Sequence, residues 1–255
     1  MAVTLTFVRD DAVLSVRDWG GGATPMVLIH GLGGNQREWD VAGVKLARQF
    51  RIITFDQRGH GASSRSSDYS WNTRVDDLVE LIQEMQLHDV TLVGHSLGAG
   101  VALEAANRID DCRALAMIDG ALPVELPLLN GKAPGRPVRN LVVTARRAAL
   151  HRILRHAPMS YTELSRIGDD YRGRFSEFDE ALHAVACPAL YILGSRVEHG
   201  PTGPAFQSVR ERAAALAVQA NPRIRVQWID ARHNMIRTHP RQVASALMLL
   251  HADAP

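Results

Sequence analysis

Apolar residues fall into two patterns along the chain. Short, nearly unbroken runs occupy residues 25–30 (PMVLIH), 51–56 (RIITFD), 90–95 (VTLVGH), 114–119 (ALAMID), 188–194 (PALYILG) and 224–230 (IRVQWID), whereas residues 13–19 alternate. Unbroken Val, Ile and Leu at strand length suits strands covered on both faces, as in a parallel sheet, and alternation predicts an edge strand. Between these runs the apolar period lengthens. Val75, Leu78, Val79, Ile82 and Met85 form one stripe, with Thr73 and Asp76 at capping-box spacing. Phe206, Val209, Ala213, Leu216 and Ala217 form a second, residues 243–250 a third, and residues 97–108 a further helical segment. Strand–helix alternation of this kind predicts an α/β fold, with a mostly parallel central sheet flanked by helices.

One stretch breaks the rhythm. Residues 121–186 contain no strand pattern, begin with Pro123, Pro127, Pro134 and Pro137, and continue in helical segments. Residues 139–155 place Leu141, Val142, Ala145, Ala149 and Ile153 on one side and arginines on the other. The expected organisation is a core domain of residues 1–120 and 187–255, interrupted by a helical cap at 121–186.

Composition narrows the classes. With 255 residues, 46% hydrophobic and 22% charged, the chain can bury a full core and is not a disordered type. Its 29 basic and 27 acidic residues leave a formal charge of +2, which excludes a nucleic-acid footprint. Arginine supplies nearly all the basic charge, since Lys45 and Lys132 are the two lysines. No apolar run approaches a membrane span, and the first eleven residues lack a basic start followed by an apolar core. A cytoplasmic location is therefore expected, with Cys112 and Cys187 as buried free thiols. His151, His156 and His183 have no metal-ligand spacing, so neither a metal nor a cofactor is expected. Arg146, Arg147, Arg152 and Arg155 read as a solvated helix face, and Met26, Met85, Met117 and Met248 as core fillers.

Three motifs sit at strand ends. Gly94-His95-Ser96-Leu97-Gly98 joins a buried strand to a helix, which places the serine on a tight turn at a helix N-terminus. His30-Gly31-Leu32-Gly33-Gly34 follows another strand, where the Leu32 N–H could join that of Leu97 in holding an oxyanion. Asp56-Gln57-Arg58-Gly59-His60-Gly61 reads as a hydrogen-bonded loop that holds strand ends, in preference to a catalytic group.

These motifs, in this order, resemble the α/β-hydrolase fold family, as does His233 after the last strand run. The resemblance covers nearly all the chain outside 121–186, where that family commonly inserts a helical cap. It implies Ser96 as nucleophile, His233 as general base, and Leu32 and Leu97 as oxyanion donors. A serine hydroxyl needs the histidine to become nucleophilic, and the histidine needs a carboxylate to fix its tautomer. The family's usual place for that acid, three residues past Gly194, holds Val197. Glu198 follows it, and Asp119 stands at the family's second position, after the sixth strand. Asp119 is preferred, with Glu198 and a bare Ser96–His233 dyad as the alternatives.

The resemblance implies a cofactor-free serine hydrolase acting on an ester, thioester or lactone of a small apolar acyl compound. Two other functions compete: a biosynthetic enzyme performing acyl transfer, cyclisation or elimination at the same site, and a ligand-binding member without turnover.

Overall fold

The computed structural model describes residues 2–125, 158–200 and 202–252. Its centre is an eight-stranded sheet, ordered β1-β2-β4-β3-β5-β6-β7-β8. The strands are β1 (Val3–Arg9), β2 (Ala12–Gly21), β3 (Pro25–Ile29), β4 (Arg51–Phe55), β5 (Val90–His95), β6 (Cys112–Ile118), β7 (Ala189–Gly194) and β8 (Ile224–Ile229). The pairs β1–β2 and β2–β4 are antiparallel, and the rest are parallel. All of β3, β5 and β7 is buried, as their unbroken apolar runs require.

Helices cover both faces. On one lie α2 (Trp71–Glu84), α3 (Leu97–Ala106) and α6 (Gly203–Ala220), packed over Val27, Ile29, Leu92 and Tyr191. On the other lie α1 (Asp40–Leu46) and α8 (Pro240–Ala252), packed over Met26, Leu28, Val93 and Ile192. Alternate residues of one strand thus feed two cores, the consequence of a period of two. The Met residues read as fillers do pack there: Met26 and Met117 are fully buried, and Met85 and Met248 lie against the clusters.

Three sequence expectations need correction. Residues 224–230 do not form a strand covered on both faces, because β8 lies at an outer edge of the sheet and buries only Ile224 and Ile229. Residues 13–19 are not an edge strand, because β2 is paired on both sides and the edge is β1. Only Phe7 of β1 is buried, so that strand has little apolar signature beyond its Val-Thr-Leu-Thr alternation. The α2 helix also starts earlier than Thr73. It begins at Trp71 after Ser70, because Trp71 is itself buried against the insertion and Thr73 Oγ1 instead donates to Asp68.

Between β6 and β7, the described part of the insertion comprises α4 (Tyr161–Gly173) and α5 (Phe175–Ala184). Ser160 and Glu163 close a capping box at the start of α4. Phe178 of α5 packs edge-on to Trp71 of α2, which in turn stacks on Tyr171 of α4. The helix expected at 139–155, its arginines, His151, His156, Pro127, Pro134 and Pro137 lie outside the described residues. Among the described residues, no helix is long and apolar enough to cross a membrane. Cys112 and Cys187 are free thiols, with their sulfurs 3.6 Å apart at the starts of β6 and β7.

Candidate active site

The C-terminal ends of β5, β6 and β8 bring three distant residues together. Ser96 lies between β5 and α3 with φ 55°, in the left-handed region that side chains rarely adopt. Its turn is possible because Gly94 and Gly98 carry no Cβ. A Cβ at 94 would fall 2.0 Å from Gly98 O, and one at 98 would fall 2.6 Å from His30 O. Ser96 N–H donates to Ile118 O at 2.9 Å, which ties the turn to β6.

His233, in the loop after β8, has its Nε2 3.0 Å from Ser96 Oγ. Its Nδ1–H donates to Asp119 Oδ2 at 2.7 Å, so Nε2 is left to accept the serine proton. Asp119 directly follows β6, also in left-handed backbone at φ 49°, and is fully buried. Its carboxyl is held far below the usual carboxylate range. Burial opposes this, but hydrogen bonds and charge from His233 and Arg210 outweigh it. Glu198 does not reach the ring: its Oε1 accepts the backbone N–H of His233 at 2.7 Å. Val197, at the family's usual acid position, is 45% exposed.

Arg210 is the participant that sequence reasoning missed. It lies on α6, fully buried, with Nε 2.7 Å from Asp119 Oδ1 and Nη2 2.6 Å from Asp119 Oδ2. Its signal was available: one arginine falls on the apolar stripe of α6, next to Val209.

Leu97 is the first residue of α3, so its N–H has no partner within the helix. The Leu32 loop lies against the serine, since a Cβ on Gly31 would sit 3.1 Å from Ser96 Cβ. Two histidines brace that loop. His30 Nδ1–H donates to Gly31 O and its Nε2 accepts Gln57 N–H, while Gly33 N–H donates to His60 Nε2. His95 lies beneath His233, ring centroids 4.9 Å apart, and its Nε2–H donates to His233 O. Burial pushes its imidazole down to about 3, which keeps it neutral.

The Asp56–Gly61 loop is a hydrogen-bonded brace. Asp56 accepts from Gln36 N–H and Ala62 N–H, and Arg58 forks onto Asp77 of α2. A polar cleft of about 870 Å³ opens beside it, lined by Ser15, Arg17, Gln36 and Asp40 among others, and holds neither Ser96 nor His233.

The described insertion reaches this site. Tyr171 O–H on α4 donates to Ser96 O at 3.1 Å and accepts Ala121 N–H at 2.8 Å. A hydroxyl, an imidazole and a buried carboxylate joined in series can pass a proton from oxygen to nitrogen as the oxygen attacks.

Comparison with known proteins agrees with this architecture. A 2-(acetamidomethylene)succinate hydrolase from Mesorhizobium japonicum is 34% identical over 119 residues, 46% of this chain and 42% of that protein. A non-heme chloroperoxidase from Kitasatospora aureofaciens is 42% identical over 94 residues, 36% of this chain and 34% of that protein. The matched segments thus span well under half of these relatives. The crystal structure of a membrane phospholipase A, described as a bacterial virulence factor, shares the fold at 18% identity. Its TM-score is 0.77, covering 98% of this chain and 85% of that one. The model of the alpha/beta hydrolase family matches residues 26–246, which run from β3 into α8 and leave out β1 and β2. With that match and the strand order above, the chain belongs to the alpha/beta hydrolase family.

Proposed function

We propose that the protein is a serine hydrolase that needs no cofactor and cleaves an ester, thioester or lactone of a small apolar acyl compound. Ser96 is the nucleophile, His233 the general base, and Asp119 the acid that holds the imidazole. The observation that carries this reading is the unbroken run Ser96 Oγ–His233 Nε2 at 3.0 Å and His233 Nδ1–Asp119 Oδ2 at 2.7 Å. Ser96 attacks the acyl carbon as His233 takes its proton. The developing oxyanion is held by the N–H groups of Leu97 and Leu32, and the imidazolium is stabilised by Asp119. His233 then protonates the leaving group, and water drawn by the same base releases the acyl group. The segment 121–186, read as the cap, governs acyl size and water access; its described part reaches the serine turn through Tyr171, whose O–H donates to Ser96 O.

A fluorophosphonate probe, with a screen of short acyl esters, thioesters and lactones, tests the reading. The wild type is expected to be labelled at Ser96 and to turn over one of the three classes. Ser96→Ala loses the label and about 10³-fold or more in turnover, and His233→Ala matches it within about tenfold because neither works alone. An unlabelled wild type points to the ligand-binding function. Product formed only when an alcohol or amine acceptor is supplied points to acyl transfer.

A further inference from the structure

With Asp119 on the ring, Glu198 and Arg210 have no place in a three-residue relay, yet both are built into it. Arg210 spends all five of its N–H donors. Nε and Nη2 go to Asp119, Nη2 also to Glu198 Oε1 at 2.7 Å, and Nη1 to Arg196 O and Gln207 Oε1. A buried guanidinium satisfied in every direction has one orientation and so acts as a rigid clamp. Glu198 Oε1 meets both this guanidinium and the backbone N–H of His233, each at 2.7 Å. One carboxylate oxygen therefore ties the histidine loop to the group that grips Asp119.

The charges matter as much as the contacts. Arg210 alone would cancel the negative charge of Asp119, and that charge is what stabilises an imidazolium. Glu198 restores it: two carboxylates and one guanidinium leave a net −1, the charge of a single buried aspartate. We propose that Glu198 and Arg210 are positioning residues of this site. Arg210 fixes the Asp119 carboxylate, while Glu198 holds His233 by its main chain and supplies the charge that Arg210 would otherwise neutralise. The proposal rests on the reading of His233 as base and Asp119 as acid, but it can be tested on His233 itself.

The other groups around His233 are common to all variants. They are His95 at the end of β5, Phe206 edge-on from α6, and Glu38 of the short helix Gln36–Trp39. The Glu38 carboxyl is raised by burial and faces Arg237 of α7 (Met235–Thr238) at 3.9 Å.

The experiment follows the carbon-bound ring proton of His233 by NMR against pH, in the full chain, assigned by its loss in His233→Gln. In Glu198→Gln the titration midpoint is expected about half to one pH unit below the wild type. In Arg210→Gln it is expected about as far above, and in Arg210→Lys it stays near the wild type. The fluorophosphonate labelling rate gives a second reading, its acid limb moving in the same directions. Glu198→Ala, which also loses the acceptor for His233 N–H, should label about tenfold more slowly than Glu198→Gln. Should Arg210→Gln fail to fold, Glu198→Gln alone decides. A midpoint equal to the wild type, or displaced upward, overturns the proposal. A chain that titrates as expected but never reacts with the phosphonate keeps this proposal and removes the hydrolase reading. A reactive chain whose Glu198→Gln titration is unmoved does the reverse.

Discussion

Among the fully buried arginines of the described residues, Arg58 and Arg210 each fork onto a buried aspartate. Arg58 reaches Asp77 at 2.7 and 2.6 Å, and Arg210 reaches Asp119 at the same two distances. Around Arg58, the remaining donors go to Asp68 O, Ser66 Oγ and Asp11, and the Asp77 carboxylate turns to a second arginine, Arg9. That cluster is closed. It binds the Asp56–Gly61 loop to α2 and, through Arg9 and Asp11, to the β1–β2 hairpin, and none of these bonds reaches Ser96 or His233. Around Arg210, one aspartate oxygen also accepts the Nδ1–H of His233, and that ring continues to Ser96. The ion pair is therefore not what marks a reactive centre, since the same fork serves as a strut on one side of the sheet. The difference lies in a third partner that can change its protonation state.

Breaking each fork should separate the two uses. Asp119→Asn is expected to cost about 10⁴-fold in turnover, because the imidazole loses its orienting carboxylate. Asp77→Asn is expected to leave the turnover of the folded fraction within about threefold of the wild type. Both should lower stability, by about 1–3 kcal/mol, since each guanidinium loses its buried partner and keeps a partly exposed carboxylate, Glu198 or Asp11. Activated-ester kinetics and urea melts on the two variants check this. Equal turnover losses would erase the distinction. The Asp119 contribution to stability is present above the ordinary carboxylate range near pH 4 and is lost as pH falls towards its depressed folded value. The gap between wild type and Asp119→Asn should accordingly narrow in acid.

A second acid effect belongs to the Ser96 side. Below pH 6.5 the unfolded chain binds a proton at His95 that the folded chain refuses until about pH 3. Stability should fall through that window, by on the order of 4 kcal/mol. His95→Gln, which keeps an N–H for His233 O, should flatten the decline by one proton in a pH series of urea midpoints. An unchanged slope would mean that His95 is already protonated in the folded state. The smallest effect expected is in the closed cluster: Ser66→Ala removes one partner of Arg58 Nη1 and should cost about 1 kcal/mol with no change in labelling of Ser96.

The six apolar runs became strands within two residues of their expected ends; burial on both faces explains the inner ones, whereas β8, at the sheet edge, buries only Ile224 and Ile229. Strand β1 has weaker local evidence, since Val3, Leu5 and Val8 remain exposed and only Phe7 enters the core. Ser96 could be found because its turn has local demands: a strand before it, a helix after it, and glycine where backbone crowds backbone. The acid had no such demand. Asp119 and Glu198 each follow a strand on the same edge of the sheet, and local sequence treats both as carboxylates at a loop.

The chain by itself determined the fold class, seven of the eight strands and the loop that carries the serine, since these are set by periodicity and by backbone crowding between near neighbours. Tertiary structure alone decided which carboxylate meets which atom of His233. That outcome depends on Arg210, 91 residues from Asp119 and 12 from Glu198, swinging in from α6 to hold both. A single buried guanidinium with five donors sorts the two acids by geometry. One is held where it can reach the imidazole, and the other where it can reach the main chain. The sequence could prefer Asp119 only by its place in the family pattern, because the forces that make the choice act across the fold.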